Sequence, residues 1–173
     1  MTHAPPPSAQ QQRLQQRQAW IGIGANLGDA AATVKDAIHA IDQLPACRLQ
    51  AQSSLYRSAP VDAGGDDYVN AVARIVTTLA PDDLLAALLR LEQRWGRERP
   101  YRNAPRTLDL DLLMLDDLQY RSDTLSLPHP RMHLRAFVLA PLTEIDPVIE
   151  IPGRGKAASL LAGLTGQRIQ RMD

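Results

Sequence analysis

The stretch Thr107-Leu108-Asp109-Leu110-Asp111-Leu112-Leu113-Met114-Leu115 begins with alternating polar and apolar residues and predicts a β-strand. Successive side chains of a strand point to opposite faces, so Asp109 and Asp111 are predicted to share one face. The other face is predicted to carry Leu108, Leu110, Leu112 and Met114. Leu113 and Leu115 follow on the acidic face. The strand therefore carries an acidic pair on a face that turns apolar towards its end.

The sequence before this strand predicts the rest of a two-layer unit. Its elements are a strand over 20–24, a helix over 30–43 begun by Asp29, strands over 48–57 and 68–76, and a helix over 81–95 that ends at Gly96. The order β-α-β-β-α-β is that of a ferredoxin-like core. We therefore predict an α+β fold, in which helices pack on an antiparallel-rich sheet.

The two ends of the chain are less regular. Residues 1–18 are rich in Pro and Gln and are predicted to form a disordered extension. Residues 19–173 are predicted to form a single domain. A stiff loop is expected around Leu127-Pro128-His129-Pro130, followed by a helix over 134–145. The part beyond Gly153 is predicted to be an addition to the core, with room for one more helix.

Composition excludes several classes of protein. Nineteen acidic and nineteen basic residues balance, which argues against binding nucleic acid or an anionic membrane through bulk charge. The single cysteine, Cys47, excludes an intramolecular disulfide and a multi-cysteine zinc site. One Phe and four Tyr are few for an RNA-binding ferredoxin-like module, which needs exposed aromatic residues on its sheet. With no long apolar run and no secretory signal, we expect a cytoplasmic protein that does not bind a membrane.

The acidic pair has two interpretations. Carboxylates at positions i and i+2 of a strand lie roughly 7 Å apart and repel each other unless a cation is present. Mg²⁺ prefers one or two carboxylates together with phosphate oxygens, so Asp109 and Asp111 are candidate ligands. The alternative is a solvated strand face with two ordinary acids.

Five arginines stand immediately before the acidic strand, namely Arg94, Arg97, Arg99, Arg102 and Arg106. Arginine binds phosphate oxygens with two parallel hydrogen bonds and keeps its charge, so an arginine-rich loop beside an acidic pair favours polyphosphate chemistry. A solvated basic loop, or one that pairs directly with the acids, is the alternative.

Three further features are candidates for a binding site. Asn70 shares a strand face with Tyr68, and its amide either bonds a loop or binds the polar edge of a heterocycle beside Tyr68 or Phe137. His129 lies between two prolines, in a segment that also contains Arg131 and Arg135. The glycines from Gly22 to Gly28 lack the spacing of a P-loop or a dinucleotide fingerprint, and we interpret them as a tight turn.

Taken together, the motifs resemble a known family. They are Gly-Ala-Asn-Leu-Gly-Asp (24–29), Ser-Ser-Leu-Tyr-Arg-Ser-Ala-Pro (53–60), Asp-Tyr-Val-Asn-Ala (67–71), Gly-Arg-Glu-Arg (96–99), Pro-Arg-Thr-Leu-Asp-Leu-Asp-Leu-Leu (105–113) and Leu-Pro-His-Pro-Arg-Met (127–132). In this order and spacing they resemble the 6-hydroxymethyl-7,8-dihydropterin pyrophosphokinases of folate biosynthesis, over about residues 19–150. The resemblance implies transfer of the diphosphate of ATP to the pterin hydroxymethyl group, with release of AMP.

The resemblance also implies roles for particular residues. Asp109 and Asp111 would bind two Mg²⁺ ions, and Arg97, Arg99 and Arg106 would act on the phosphates. Further nucleotide contacts would come from Glu92, Leu112, Ser126, His129 and Arg135. The pterin pocket would be formed by Ser58, Ala59, Tyr68, Asn70 and Phe137. We expect a monomer; the alternative function is another Mg²⁺-dependent nucleotidyltransferase that uses a carboxylate pair on a ferredoxin-like fold.

Overall fold

The computed structural model describes residues 15–60, 64–96 and 107–173. The larger strands are β1 (Arg17–Ala25), β2 (Cys47–Gln52), β3 (Tyr56–Ser58), β4 (Tyr68–Thr77) and β5 (Asp109–Leu115). Shorter strands are β6 (Tyr120–Arg121), β7 (Ser126–Leu127), β8 (Glu150–Ile151), β9 (Gly155–Lys156) and β10 (Ile169–Arg171). The helices are α1 (Ala30–Asp42), α2 (Pro81–Arg94), α3 (Ala136–Ile145) and α4 (Ala157–Ala162), and a 3-10 turn spans Met132–Leu134.

The main sheet has the order β10-β3-β4-β1-β5, and β2 also pairs with β4. All of its pairings are antiparallel. The predicted strand over 48–57 is divided into β2 and β3, which run one after the other along β4. The α+β, ferredoxin-like prediction is confirmed, since helices cover an antiparallel sheet whose strands occur in the predicted order.

Helices cover both faces of the sheet. The residues Ala19, Ile21 and Ile23 of β1 point into one apolar cluster, which α1 and α2 complete. Trp20 of β1 points into the other cluster, which α3 and α4 complete. Asp29 begins α1 as predicted, because its carboxylate accepts a hydrogen bond from the backbone N–H of Ala32 at 3.0 Å. No helix in the described part of the chain is long and apolar enough to cross a membrane.

A β-bulge changes the predicted alternation in β5. Trp20 lies opposite Met114 and Ile21 lies opposite Leu112, so Leu113 is an additional residue in the ladder. Met114 consequently points into the same cluster as Leu113, while Leu115 joins Leu112 on the other face. The predicted sheet faces of the Met114 and Leu115 side chains are therefore wrong, because a bulge places two successive residues on the same face.

The two ends also differ from expectation. β1 begins at Arg17, two residues before the predicted start of order, and residues 1–14 of the predicted extension lie outside the described part. Beyond Gly153 the chain forms α4, as predicted, and then β10. The strand β10 pairs with β3, so the C-terminal residues form one edge of the main sheet.

Glu144 on α3 joins that helix to the strands beneath it. Its Oε1 accepts hydrogen bonds from the Ser54 N–H at 3.0 Å and the Ser54 hydroxyl at 2.7 Å, and its Oε2 accepts one from the Tyr56 hydroxyl at 2.7 Å. Burial acts to raise the pKa of Glu144, but the bonds from Tyr56 and Ser54 outweigh it, and the pKa lies below its ordinary value. Glu144 is therefore ionised at neutral pH, and its carboxylate attaches α3 to Ser54 and Tyr56.

Replacing Glu144 by Ala is expected to lower the free energy of unfolding by about 2–4 kcal/mol, because three donors lose a charged acceptor. Urea unfolding at pH 7 measures this change, and Glu150→Ala, at an exposed position of β8, is the control. A carboxylate with a lowered folded-state pKa stabilises the fold above its unfolded pKa, and this stabilisation is lost as the pH falls through the folded pKa. The difference in free energy of unfolding between the wild type and Glu144→Ala should therefore become smaller in acid. A difference that does not change with pH would contradict this role of Glu144.

Candidate active site

A row of paired residues with glycine at its centre crosses the sheet on the face that carries the acidic pair, and the space above it is here called the trough. Gly24 of β1 lies directly opposite Asn70 of β4 and, on its other side, opposite Asp109 of β5. Because neighbouring strands are about 4.8 Å apart, Asn70 and Asp109 are separated by roughly 10 Å. The trough therefore has an amide on one side, a carboxylate on the other, and a strand without a side chain between them.

The floor of the trough consists of glycine. A Cβ atom on Gly24 would lie 3.3 Å from Asn70 Oδ1, and one on Gly22 would lie 3.4 Å from Leu113 Cδ2. Both glycines lie inside β1, in agreement with the predicted strand over 20–24, and the turn towards α1 begins only after them. Glycine in a strand interior often marks a close approach: at Gly22 the buried Leu113 side chain takes that space, and at Gly24 the space borders Asn70.

The acidic side of the trough is joined to α3 through Arg135. An Arg135 guanidinium nitrogen lies 3.6 Å from Asp111 Oδ2, and the two side chains are 26% and 32% exposed. The same guanidinium lies 5.5 Å from the centre of the Phe137 ring. Arg135 therefore connects the carboxylates, predicted to bind metal, with the aromatic ring predicted to stack on the substrate.

The amide side of the trough is formed by β3 and β4. Asn70 is only 4% exposed, and its Nδ2 donates a hydrogen bond to Ser58 Oγ at 2.8 Å. Tyr68 shares the face of Asn70, since its ring reaches to 4.0 Å from a Cβ on Gly24. Ala59 is exposed directly after β3. The structure thus brings together Ser58, Tyr68 and Asn70 and leaves Ala59 at their edge.

His129 lies beside the acidic end and is held through its backbone and its ring. Its N–H donates to Leu113 O at 2.8 Å, and its Nδ1 accepts from the Arg131 N–H at 3.1 Å. Burial lowers the pKa of His129 to about 4, with a further contribution from the charge of Arg135. The ring is therefore neutral at pH 7 and carries its proton on Nε2, as a hydrogen-bond donor. His129 also lines a groove of about 500 Å³ together with Ser126, Arg121 and Arg154.

Two predicted nucleotide contacts point elsewhere. Glu92 is 2% exposed, and its Oε1 accepts a hydrogen bond from the Leu110 N–H of edge strand β5 at 2.8 Å. The Leu112 side chain is buried in the cluster on the opposite face of the sheet. Neither side chain lines the trough. Glu92 instead holds the strand on which Asp109 and Asp111 stand.

The arginines Arg97, Arg99 and Arg106 lie outside the described residues, and their predicted roles remain predictions. The donor set of the acidic pair is suited to a hard cation, because carboxylate oxygens are the ligands that Mg²⁺ prefers. Within the described ranges, no group of three or more His, Cys, Asp or Glu residues lies close enough to hold a metal ion. Oxygen atoms of a bound phosphate would complete the coordination of a cation held by Asp109 and Asp111.

Comparisons with known proteins agree on one family. The family model described as 7,8-dihydro-6-hydroxymethylpterin-pyrophosphokinase matches residues 20–147. A Pseudomonas aeruginosa 2-amino-4-hydroxy-6-hydroxymethyldihydropteridine pyrophosphokinase is 38% identical over 157 residues, which cover 90% of this chain and 97% of that protein. A Haemophilus influenzae protein of the same name is 42% identical over 135 residues, covering 78% of this chain and 84% of the other.

A solved structure shows the same fold. The HPPK-DHPS of Plasmodium falciparum superposes with a TM-score of 0.68 at 13% sequence identity, covering 86% of this chain and 44% of that one. This chain therefore spans less than half of the length of that protein, and the likeness concerns the fold.

The buried position of His129 leads to a prediction about acid stability. An unfolded histidine takes up a proton near pH 6.5, whereas folded His129 does so only near pH 4. The unfolded chain therefore binds more protons in this interval, and stability should fall as the pH drops from 6.5 to 4. In the His129→Gln variant, the free energy of unfolding should fall less steeply with pH over this interval. An NMR titration should place the His129 midpoint near 4; a midpoint at or above the ordinary value would contradict the assignment.

Proposed function

This chain belongs to the 7,8-dihydro-6-hydroxymethylpterin-pyrophosphokinase family, and we propose that its trough is the site where ATP and the pterin react. The chain is an ATP-dependent pyrophosphokinase of folate biosynthesis. It transfers the diphosphate of ATP to the hydroxymethyl group of 6-hydroxymethyl-7,8-dihydropterin and releases AMP. The observation that carries the placement is the row Asn70–Gly24–Asp109, which puts an amide and a carboxylate on either side of an open floor.

The pterin is proposed to bind at the amide side. A pterin edge carries hydrogen-bond donors, and Asn70 presents the acceptor Oδ1 on the side of Gly24, because its Nδ2 already donates to Ser58 Oγ and Tyr56 O. Ser58 holds the Asn70 amide by accepting from Nδ2, so the orientation of that amide is set before the substrate arrives. Phe137 is proposed to stack on the ring, while Tyr68 and Ala59 line the pocket.

The phosphates of ATP are proposed to lie at the acidic side. Asp109 and Asp111 would hold two Mg²⁺ ions, which neutralise phosphate charge and orient the phosphate oxygens. Arg135 and the Nε2–H of His129 lie at the same end and are suited to donate hydrogen bonds to phosphate. Ser126 in the adjoining groove is proposed to contact the nucleotide, and Arg97, Arg99 and Arg106 to act on the transferred group.

The reaction proposed for the trough is an in-line displacement. The pterin hydroxyl oxygen bonds to the β-phosphorus, the bond between that phosphorus and the oxygen bridging to the α-phosphate breaks, and AMP leaves. The hydroxyl proton passes to solvent. Catalysis then rests on holding the two substrates in line and on neutralising charge, which is the usual basis of phosphoryl transfer.

The nucleotidyltransferase alternative receives no support from the family match. We further propose that the protein acts as a monomer in the cytoplasm. Analytical ultracentrifugation at assay concentration would test the oligomeric state.

The direct test of the function is product analysis. Purified protein is incubated with ATP, Mg²⁺ and 6-hydroxymethyl-7,8-dihydropterin, and nucleotides and pterins are separated by chromatography. AMP and a diphosphorylated pterin should form in equal amounts. Formation of ADP, or nucleotide transfer with release of pyrophosphate, would refute the proposal.

Replacing Asp109 or Asp111 by Ala should reduce kcat by at least about 10³-fold, because charge on the transferred group is no longer neutralised. The same product assay measures this loss. Asp117→Ala is the matched control, since Asp117 is an exposed aspartate in the turn after β5. Circular dichroism should show the same fold for all three variants. Near-normal turnover by either trough variant would contradict the role of the pair.

Gly24→Val should raise the KM for the pterin at least about tenfold, because its side chain fills the trough beside Asn70. Asn70→Ala should also weaken pterin binding while leaving the KM for ATP largely unchanged. Steady-state kinetics, with each substrate varied separately, give the KM for the pterin and the KM for ATP of each variant. If Gly24→Val left the KM for the pterin unchanged, the pterin would not lie over Gly24.

A further inference from the structure

Gln167, in the C-terminal segment, holds the backbone on both sides of Arg135. Its Oε1 accepts a hydrogen bond from the Ala136 N–H at 2.8 Å, and its Nε2 donates one to Leu134 O at 2.8 Å. The side-chain amide of Gln167 thus binds the residue before Arg135 through its nitrogen and the residue after Arg135 through its oxygen. Gln167 lies 31 residues from Ala136 along the chain and beyond residues 20–147 that the family model covers.

This contact supplies what the start of α3 lacks. The first N–H groups of a helix have no partner within the helix, and Ser, Thr, Asp or Asn at the N-cap usually provides one. Arg135 is the N-cap residue of α3, and its side chain makes no capping hydrogen bond. A guanidinium has no acceptor and cannot cap an N–H, so the acceptor for the Ala136 N–H comes from Gln167.

The geometry of Arg135 depends on this junction. Its backbone is extended, with φ −122° and ψ 109°, between the 3-10 turn and the first turn of α3. From there its guanidinium reaches Asp111 at 3.6 Å and lies 5.5 Å from the centre of the Phe137 ring. A small rotation of the backbone at Arg135 would move the guanidinium by a much larger distance, because the side chain is long.

The position of Gln167 is itself held by the sheet. Two residues later β10 begins, and Ile169 pairs with Ser58 of β3. The Met172 N–H donates to Leu55 O at 2.8 Å, which extends the attachment. The segment from Gln167 to Met172, here called the C-terminal strap, therefore contacts both the strand that orients Asn70 and the junction that orients Arg135.

We propose that Gln167 is a positioning residue for the pyrophosphoryl transfer, and that the C-terminal strap fixes Arg135 relative to the pterin pocket. The inference rests on the proposed function, since it concerns the same trough. Gln167 itself touches neither substrate. It acts through the backbone of Arg135, which places the guanidinium between the acidic pair and Phe137.

The experiment compares Gln167→Ala with Gln170→Ala, an exposed control in the same strap. Gln167→Ala should lower kcat/KM by about tenfold, because a misplaced group far from the reacting atoms still disturbs alignment. Gln170→Ala should remain within about twofold of wild type, as is usual for a surface substitution. Gln167→Met, which keeps the length of the side chain without its hydrogen bonds, should match Gln167→Ala.

A double-mutant cycle separates positioning from general destabilisation. If Gln167 acts through Arg135, Gln167→Ala should change kcat/KM by less than about twofold when Arg135 is already Ala. Additive losses in the double variant, or a normal kcat/KM in Gln167→Ala, would overturn the inference. Should Gln167→Ala fail to fold, the cycle is run with Gln167→Met. Inactivity of the wild-type protein would instead refute the proposed function.

Discussion

The candidate site depends on the position of β1, which pairs with β4 on one side and with β5 on the other. Asn70 on β4 and Asp109 on β5 face the same space only because the strand between them carries Gly24 at that row. Backbone hydrogen bonds set the separation of strands at about 4.8 Å, so the width of the trough is a property of the sheet and not of its side chains. A side chain at Gly24 would close the trough, whereas the space over Gly22 is already filled by the Leu113 side chain.

Charge in the trough is arranged locally, although the chain is neutral overall. The carboxylate of Asp111 faces the guanidinium of Arg135, and His129 nearby is kept neutral by burial and by the arginine. A bound polyphosphate would add several negative charges to this set. We propose that the neutral His129 donates a hydrogen bond to such a ligand and that Arg135 supplies positive charge.

Elements that are distant in sequence hold these groups in place. Glu92 on α2 accepts from the backbone of β5, Glu144 on α3 accepts from Ser54 and Tyr56, and Gln167 caps α3. None of these three residues lines the trough. Each binds a backbone or side-chain donor beside a residue that does. Of the three only Glu92 is buried, and its hydrogen bond to the Leu110 N–H makes its carboxylate compatible with an otherwise aliphatic core.

The sequence by itself determined the order of the elements, the cap at Asp29 and the shared face of Asp109 and Asp111, because these follow from periodicity and from contacts a few residues apart. The family motifs also predicted binding roles for Asn70 and His129, and these roles remain predictions. Only the tertiary structure decided the bulge at Leu113, the burial of Glu92 and the capping of α3 by Gln167. These features depend on contacts between residues far apart along the chain, and the spacing of residues within one segment carries no information about them.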